Sequence, residues 1–397
     1  MHPPFLAIMD EIRQGLSWLF QTASKATCLV SGTGHAGWSL FLSFFLSLFP
    51  LASSFSLTSL SFFSFLSLFI TSQPHHLHNN LGMEAVVANL LEPGDSILVG
   101  TSGIWGERVA DMSSRFGAKV SQLTPDAVSG GSIPVPKIVA AIEDQKPTVV
   151  FLVQGESSTG VHQNLSPEIG KACRAAGSLL VVDSVASLGG VPFYADEWLV
   201  DAGYAGSQKV LSAPPGAAPL FFGERALEKL ARRKTPPATY NLDLNLVGTY
   251  WGWFLPEKPR SYHHTGMVSM WYAMREALAV LKEENGGKLE VTWQRHRAMA
   301  ERLWAGLSEL GLKPFAASPG DALATVNTIV VPQGVDWAAL CAHALSEYHL
   351  EIAGGLGPTA GKVWRVGVMG RNACPECVDL VIAAFKSGLA AQRWKKE

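Results

Sequence analysis

An acid and an amine stand at matching places in two apolar runs. Leu179-Leu180-Val181-Val182 leads into Asp183, and Ala202-Gly203-Tyr204-Ala205 leads into Gly206-Ser207-Gln208-Lys209. Runs this short and apolar read as buried strands, and open α/β sheets hold their ligands at the carboxyl ends of strands. A carboxylate and a lysine that meet there suit pyridoxal phosphate. The carboxylate keeps the ring nitrogen protonated, which makes the ring an electron sink, and the amine forms a Schiff base with the aldehyde. Such a lysine must give up its proton near neutral pH, and desolvation beside a cationic ring permits that. Either residue alone reads as a surface lysine or a helix-capping aspartate; the pairing at strand ends gives the chemical reading its weight.

Four further groups fall at the same kind of junction. Ser31-Gly32-Thr33-Gly34-His35 follows the apolar run Thr27 to Val30, and its backbone N–H groups could cradle a phosphate or simply turn the chain. Trp105, in Gly103-Ile104-Trp105-Gly106, could stack on a pyridine ring, although core packing is the plainer role for any one of 12 tryptophans. Gly155-Glu156-Ser157-Ser158-Thr159-Gly160 offers hydroxyls at the sheet edge or a helix N-cap. Arg365 lies inside the strand pattern Val363-Trp364-Arg365-Val366-Gly367. A guanidinium among apolar neighbours needs a partner, either a substrate carboxylate or an internal acid.

The elements that must position these residues alternate between apolar runs and helical patterns, the signature of an α/β fold with a mostly parallel central sheet. Strands are expected at Ser96 to Val99, Lys119 to Leu123, Thr148 to Val153, Leu179 to Val182, Ala202 to Ala205 and Pro219 to Phe222. Trp105 to Phe116, Val135 to Glu143 and Glu168 to Ala176 read as helices between them. After the helix pattern Val268 to Glu284, Asn285-Gly286-Gly287 marks a change of character. Beyond it come helices at Val291 to Leu310, Ala338 to Glu347 and Cys377 to Gln392, with strands at Thr325 to Val331 and Val363 to Gly367. A large domain over residues 1–284 and a smaller C-terminal α/β domain over 285–397 follow, in keeping with the size at which single cores stop growing, ~250 to 300 residues.

One segment does not belong to this pattern. From Trp38 to Ser72 no side chain is ionisable, and from Ser39 to Ile70 every residue except Ala52, Thr58 and Ile70 is Ser, Phe, Leu or Pro. The run is long enough for a membrane span, but Pro50, its many serines and the lack of basic flanking residues argue against one. Those four residue types are the ones whose codons can be written in pyrimidines alone, as a translated intron end would be. Joining the glycine turn that ends at Gly37 directly to Met83 restores a turn feeding an amphipathic helix, which Glu92-Pro93-Gly94-Asp95 stops. Residues 38–82 are therefore read as a low-complexity insertion foreign to the fold. Two alternatives for the whole chain arise from it: an inactive product of a mis-spliced transcript, and a membrane-anchored variant held by residues 41–69.

Charge and cysteine content narrow the partners. Lys plus Arg number 31 against 33 Asp plus Glu, so no net field recruits nucleic acid or an acidic membrane, and small molecules are expected. The five cysteines are scattered and no secretory leader is evident, as expected of a reducing compartment. Cys374-Pro375-Glu376-Cys377 has metal-site spacing without a second pair and reads as incidental, so no metal is expected.

The combination of Asp183-Ser184-Val185-Ala186-Ser187-Leu188-Gly189-Gly190, Tyr204-Ala205-Gly206-Ser207-Gln208-Lys209, Tyr262-His263-His264-Thr265 and Gly354-Gly355-Leu356-Gly357-Pro358 resembles the class V aminotransferases. The resemblance is strongest to the branch that moves an amino group from alanine or serine to glyoxylate or pyruvate, and it covers the chain apart from residues 38–82. It implies the fold-type I architecture of pyridoxal-phosphate enzymes. It also implies roles: Lys209 as the Schiff-base lysine, Asp183 as the ring-nitrogen partner, Thr33, Gly34, His35 and Gln208 at the phosphate, Trp105 on the ring and Ser158 in the pocket. Arg365 would take the substrate carboxylate, and Tyr262 and Thr265 would reach the phosphate of a neighbouring subunit in a homodimer. Cysteine desulfurases are a lesser rival that would need a nucleophilic cysteine near the site. A peroxisomal location is implied too, with cytoplasm or mitochondrion as the alternatives. The terminal Glu397 stands where a peroxisomal address ends in an aliphatic residue such as Leu.

Overall fold

A computed structural model describes residues 3–31, 77–126 and 130–394. The phosphate-turn candidates Thr33, Gly34 and His35 lie outside the described residues, as do residues 41–69 and the last three residues.

The central layer is a seven-stranded sheet built from β1 (Ala26–Ser31), β2 (Ser96–Gly100), β3 (Lys119–Leu123), β4 (Val149–Val153), β7 (Leu179–Asp183), β8 (Ala202–Tyr204) and β9 (Ala217–Phe222). Their spatial order is β1-β9-β8-β7-β4-β2-β3. The pairs β2–β3, β2–β4, β4–β7 and β7–β8 are parallel, whereas β9 runs antiparallel to both β8 and β1. β1 therefore points the same way as β8, and its carboxyl end reaches the edge that carries Asp183. Every residue of β4, β7 and β9 is buried, as expected for strands covered by helices on both faces. Between β5 (Gly155–Glu156) and β6 (Val161–His162) a small antiparallel hairpin rises from the end of β4.

Helices α1 (Pro3–Phe20), α2 (Leu77–Leu90), α3 (Ile104–Arg115), α4 (Val135–Gln145) and α5 (Pro167–Ala176) precede β7 in the chain. Local chemistry sets their ends. Pro167 opens α5, its fixed φ suiting the first helical position, and Gly177 ends it at φ 74 in the left-handed region. α1 was not anticipated from sequence; Met9, Ile12, Leu16 and Phe20 form its buried stripe against the sheet core. α2 corrects one expected boundary. Its first residues, Leu77 to Gly82, fall in the stretch read as foreign, yet Gly82 is buried so close to Tyr204 that a Cβ there would lie 2.6 Å from the ring. The fold thus resumes at Leu77, ahead of Met83.

After α6 (Glu224–Ala231), α7 (Leu244–Trp251) and α8 (Val268–Glu284), the long α9 (Leu289–Glu309) leads out of the first core and into a second. Leu289 and Trp293 still pack in the large core, and Leu303 and Leu307 belong to the smaller one. The second core thus begins within α9, beyond the expected boundary at 285, because the helix spans both. α10 (Trp337–Tyr348) and α11 (Pro375–Ala391) cover an antiparallel sheet of β10 (Val326–Val330), β12 (Val363–Gly367) and β11 (Ala353–Gly354), with Leu340, Trp364 and Phe385 fully buried between. A third cluster, including Ala186, Ala300, Leu323 and Val326, fills the junction of the two units beside the end of β7. Among the described residues, no helix is long and apolar enough to cross a membrane.

Candidate active site

Asp183 closes β7, in register with Val153 on β4 and Tyr204 on β8, so three strand ends converge on one carboxylate. It is 4% exposed. Its Oδ2 accepts a hydrogen bond from Tyr204 Oη at 2.5 Å and its Oδ1 one from the Val185 N–H at 2.8 Å. Burial pushes the carboxyl up to about 6, against the pull of those two donors. One turn beyond the end of β8, Lys209 is fixed by its own backbone: its N–H donates to Gly206 O, and its carbonyl accepts from the Ser212 N–H. Burial lowers the pKa of its amine, and the positive charge of Arg365 lowers it further. Both changes favour the neutral amine that a nucleophilic or proton-transferring lysine needs.

Facing Asp183 is the start of α3. Trp105, 8% exposed, lines a cavity together with Gly155, Ser157, Asp183, Val185 and Ala186. Its indole N–H donates to Ser157 Oγ at 2.7 Å. The first N–H groups of a helix have no partner inside it, and Gly103, which precedes α3, supplies no side-chain cap. The hairpin loop satisfies them instead: Ile104 N–H donates to Ser158 Oγ at 3.1 Å and Trp105 N–H to Glu156 Oε2 at 3.1 Å. A methyl group on Gly103 would collide with Glu156 and Ser158 at 2.5–2.6 Å, so only glycine lets the two segments meet.

The smaller unit reaches the same place through β12. Arg365 donates from Nε to Gly354 O at 2.8 Å and from Nη1 to Ser157 O at 3.2 Å. Its Nη2 has no partner among the described residues, and no carboxylate there forms an ion pair with it, so the internal salt bridge weighed from sequence is not found. Burial weakens its hold on its proton while Glu156 strengthens it. A half-buried guanidinium with one open arm is equipped to receive a carboxylate. Thr359 Oγ1 adds a second tie, donating to Ser158 O at 3.1 Å.

The structure thus brings Trp105, Ser158, Asp183, Lys209 and Arg365 to one edge, with Gln208 half-buried beside Lys209. Tyr262 and Thr265 stand outside this buried cluster. Both are exposed, Tyr262 by 72%, and their hydroxyls lie 3.1 Å apart. Two residues in the cluster were given no role from sequence. Tyr204, fully buried, holds Asp183, a link that follows from strand register; Glu156, 1% exposed, is the one acid in the run Gly155 to Gly160, the one signal it offered. No cysteine joins the cluster, and Cys374 and Cys377 lie at the start of α11. The donor set fits pyridoxal phosphate: a buried carboxylate for the ring nitrogen, an amine inclined to neutrality, an indole wall and a guanidinium for a substrate acid.

Comparison with known proteins agrees with this geometry. The family described as Aminotransferase class-V matches residues 78–372. An alanine–glyoxylate aminotransferase of Drosophila melanogaster is 39% identical over 393 residues, covering 99% of this chain and 86% of that protein. The crystal structure of an alanine–glyoxylate aminotransferase from Nostoc sp. superposes with a TM-score of 0.80 at 39% identity, covering 98% of this chain and 88% of that one. That of ureidoglycine–glyoxylate aminotransferase from Bacillus subtilis gives 0.82 at 31% identity, covering 100% and 87%. The matched region begins one residue into α2 and takes in every site residue described above. This chain is a member of the class V aminotransferases, pyridoxal-phosphate enzymes of fold-type I that catalyse transamination.

Proposed function

We propose that this enzyme transfers the amino group of alanine, or of serine, to glyoxylate, forming glycine and the 2-oxo acid of the donor. The observation that carries the reading is the convergence of Asp183, Lys209 and Arg365 at one strand edge. Glyoxylate is favoured as the acceptor because it appears in the names of all three relatives above, whereas the donor differs among them.

When bound, pyridoxal phosphate supplies the electron sink for the pair left when a Cα–H bond breaks, and it carries the amino group between the two half-reactions. The residues would do the rest. Asp183 would hold a proton at the ring nitrogen, its carboxylate already aimed by Tyr204 and Val185. Trp105 would stack on the ring, and Ser158 would line the pocket beside it. Thr33, Gly34, His35 and Gln208 would bind the phosphate. Lys209 would anchor the cofactor covalently in the resting enzyme, and once the substrate amine displaces it, its neutral Nζ would take the proton from the substrate Cα. Arg365 Nη2 would receive the substrate carboxylate, fixing which Cα bond faces Lys209.

Tyr262 and Thr265, exposed on one subunit, would reach the phosphate bound by another, so a homodimer is part of the proposal. Their hydroxyls project together from the surface, which suits a shared site.

The test is stoichiometric. Purified protein loaded with pyridoxal phosphate and given alanine and glyoxylate should form pyruvate and glycine in equal amounts. Cofactor-loaded protein that transfers nothing from alanine or serine to glyoxylate would overturn the substrate assignment.

A further inference from the structure

One buried carboxylate at the site has no role in the reaction as outlined. Glu156, on β5, accepts three hydrogen bonds: from Trp105 N–H at 3.1 Å on Oε2, and from Ser158 N–H at 3.0 Å and Ser158 Oγ at 2.5 Å on Oε1. Two of these partners are backbone N–H groups that can only donate, so the site is built for acceptor oxygens on both sides of the carboxyl. Burying an acid this deeply is costly without compensation. The compensation is present: three donors, the positive end of α3 and the nearby charge of Arg365. Burial nonetheless pushes Glu156 up to about 7, with Asp183 adding to the rise.

The bonds of Glu156 come from the backbone N–H of Trp105 and from the N–H and hydroxyl of Ser158. Trp105 Nε1 is in turn held by Ser157, so Trp105 is pinned once at its backbone and once at its indole, and both pins come from the hairpin. Ser158 Oγ is likewise fixed twice, donating to Glu156 and accepting from the Ile104 N–H. Gly103 packs directly on the Glu156 side chain, closing it in from the third side.

We propose that Glu156 is a positioning residue: by locking Trp105 and Ser158 against the start of α3, it sets how tightly and in what orientation the cofactor ring is held. The proposal rests on the reading of Trp105 and Ser158 as cofactor contacts. Glu156 itself touches neither cofactor nor substrate in this account.

Glu156→Gln keeps the volume but turns an NH2 toward either the Trp105 N–H or the Ser158 N–H, donor against donor. Titrating cofactor-free protein with pyridoxal phosphate should show affinity weakened about tenfold. The visible circular dichroism per bound cofactor should fall, because the ring is less rigidly held. At saturating cofactor kcat should drop while KM for the amino donor, set by Arg365, stays within twofold. A residue that served folding alone would lower Tm and leave the affinity and dichroism unchanged, and that result overturns the proposal.

Gly103→Ala tests the same lock from the other side, since its methyl group would displace the Glu156 side chain without altering its chemistry. It should reproduce the weaker affinity and dichroism; native values for Gly103→Ala, or loss of folding in both variants, would also contradict positioning. Trp105→Ala and Ser158→Ala separate the two levels. If they leave cofactor affinity intact, the underlying contact reading fails. If they weaken it and Glu156→Gln does not, the proposal about Glu156 fails alone.

Discussion

The two units of this chain meet at the active site on unequal terms. At the edge of the large sheet, Asp183, Glu156, Trp105 and Ser158 are buried and tied to one another and to the backbone by bonds of 2.5–3.1 Å. From the smaller unit come Arg365 and Thr359, each bonded to a carbonyl of the same hairpin loop, with one arm of the guanidinium left open. The first region is finished before any ligand arrives; the second is ready to receive one. The difference assigns cofactor chemistry to the large unit and substrate selection to the small one.

The sharpest break in that comparison is Asp183→Asn, which keeps the shape and removes the charge proposed to pair with the ring nitrogen. Activity should fall by about 10³-fold, the scale for deleting a preorganised electrostatic partner. Its pH dependence carries further information. Asp183 is held up at about 6, so below that pH the cofactor-free protein keeps it protonated and unable to pair with a protonated ring. Cofactor affinity should therefore weaken by up to about tenfold per pH unit below 6 and level off above it, and in Asp183→Asn this slope should vanish. The same raised value means that the cofactor-free protein loses Asp183's share of stability as pH rises through about 6. The increase in Tm on adding cofactor should thus be largest above that pH.

Arg365→Gln should act on the other side of the comparison. Loss of a charge-assisted bond to a carboxylate costs about 1.5–3 kcal/mol, or roughly 10- to 150-fold in KM for the amino donor. Cofactor affinity should change little, which spectroscopic titration would reveal; an equal loss in both would erase the division between the units. Tyr204→Phe comes next. It takes one donor from Asp183 and should weaken cofactor binding about tenfold, with KM for the donor nearly unchanged. The smallest effect is expected from Thr359→Val, which removes the neutral hydrogen bond between the units together with the acceptor for the Leu356 N–H, and should raise KM about fivefold.

Much of the large unit was legible in sequence because its strands are uninterrupted apolar runs that end at a polar residue. Val149–Val153 and Leu179–Asp183 form within a residue of the expected bounds, Asp183 closes its strand and Lys209 follows β8 in the next turn. Glu156 was not legible because, Ser158 apart, its partner is Trp105 on α3, about fifty residues earlier, and only the folded hairpin brings the two together. Tyr204 read as an ordinary strand residue; its hydroxyl acquires a role only through the register that sets it opposite Asp183. α9 blurred the domain boundary because one continuous helix serves both cores. Residues 77–82 were misassigned because they continue α2 but adjoin a run whose composition dominates any local average. Arg365 was recognisable as a charge in a strand, but its open arm became evident only once the fold showed its other nitrogens bonded to carbonyls and no ion pair to a carboxylate among the described residues.

The central claim is that Lys209 anchors the cofactor, and the most direct measurement is chemical trapping. The cofactor-loaded protein, reduced with borohydride and digested, should yield one modified peptide, with the pyridoxyl mass on Lys209, and Lys209→Ala should yield none while retaining its Tm. A pyridoxyl mass on a different lysine, or its persistence in Lys209→Ala, would contradict the account.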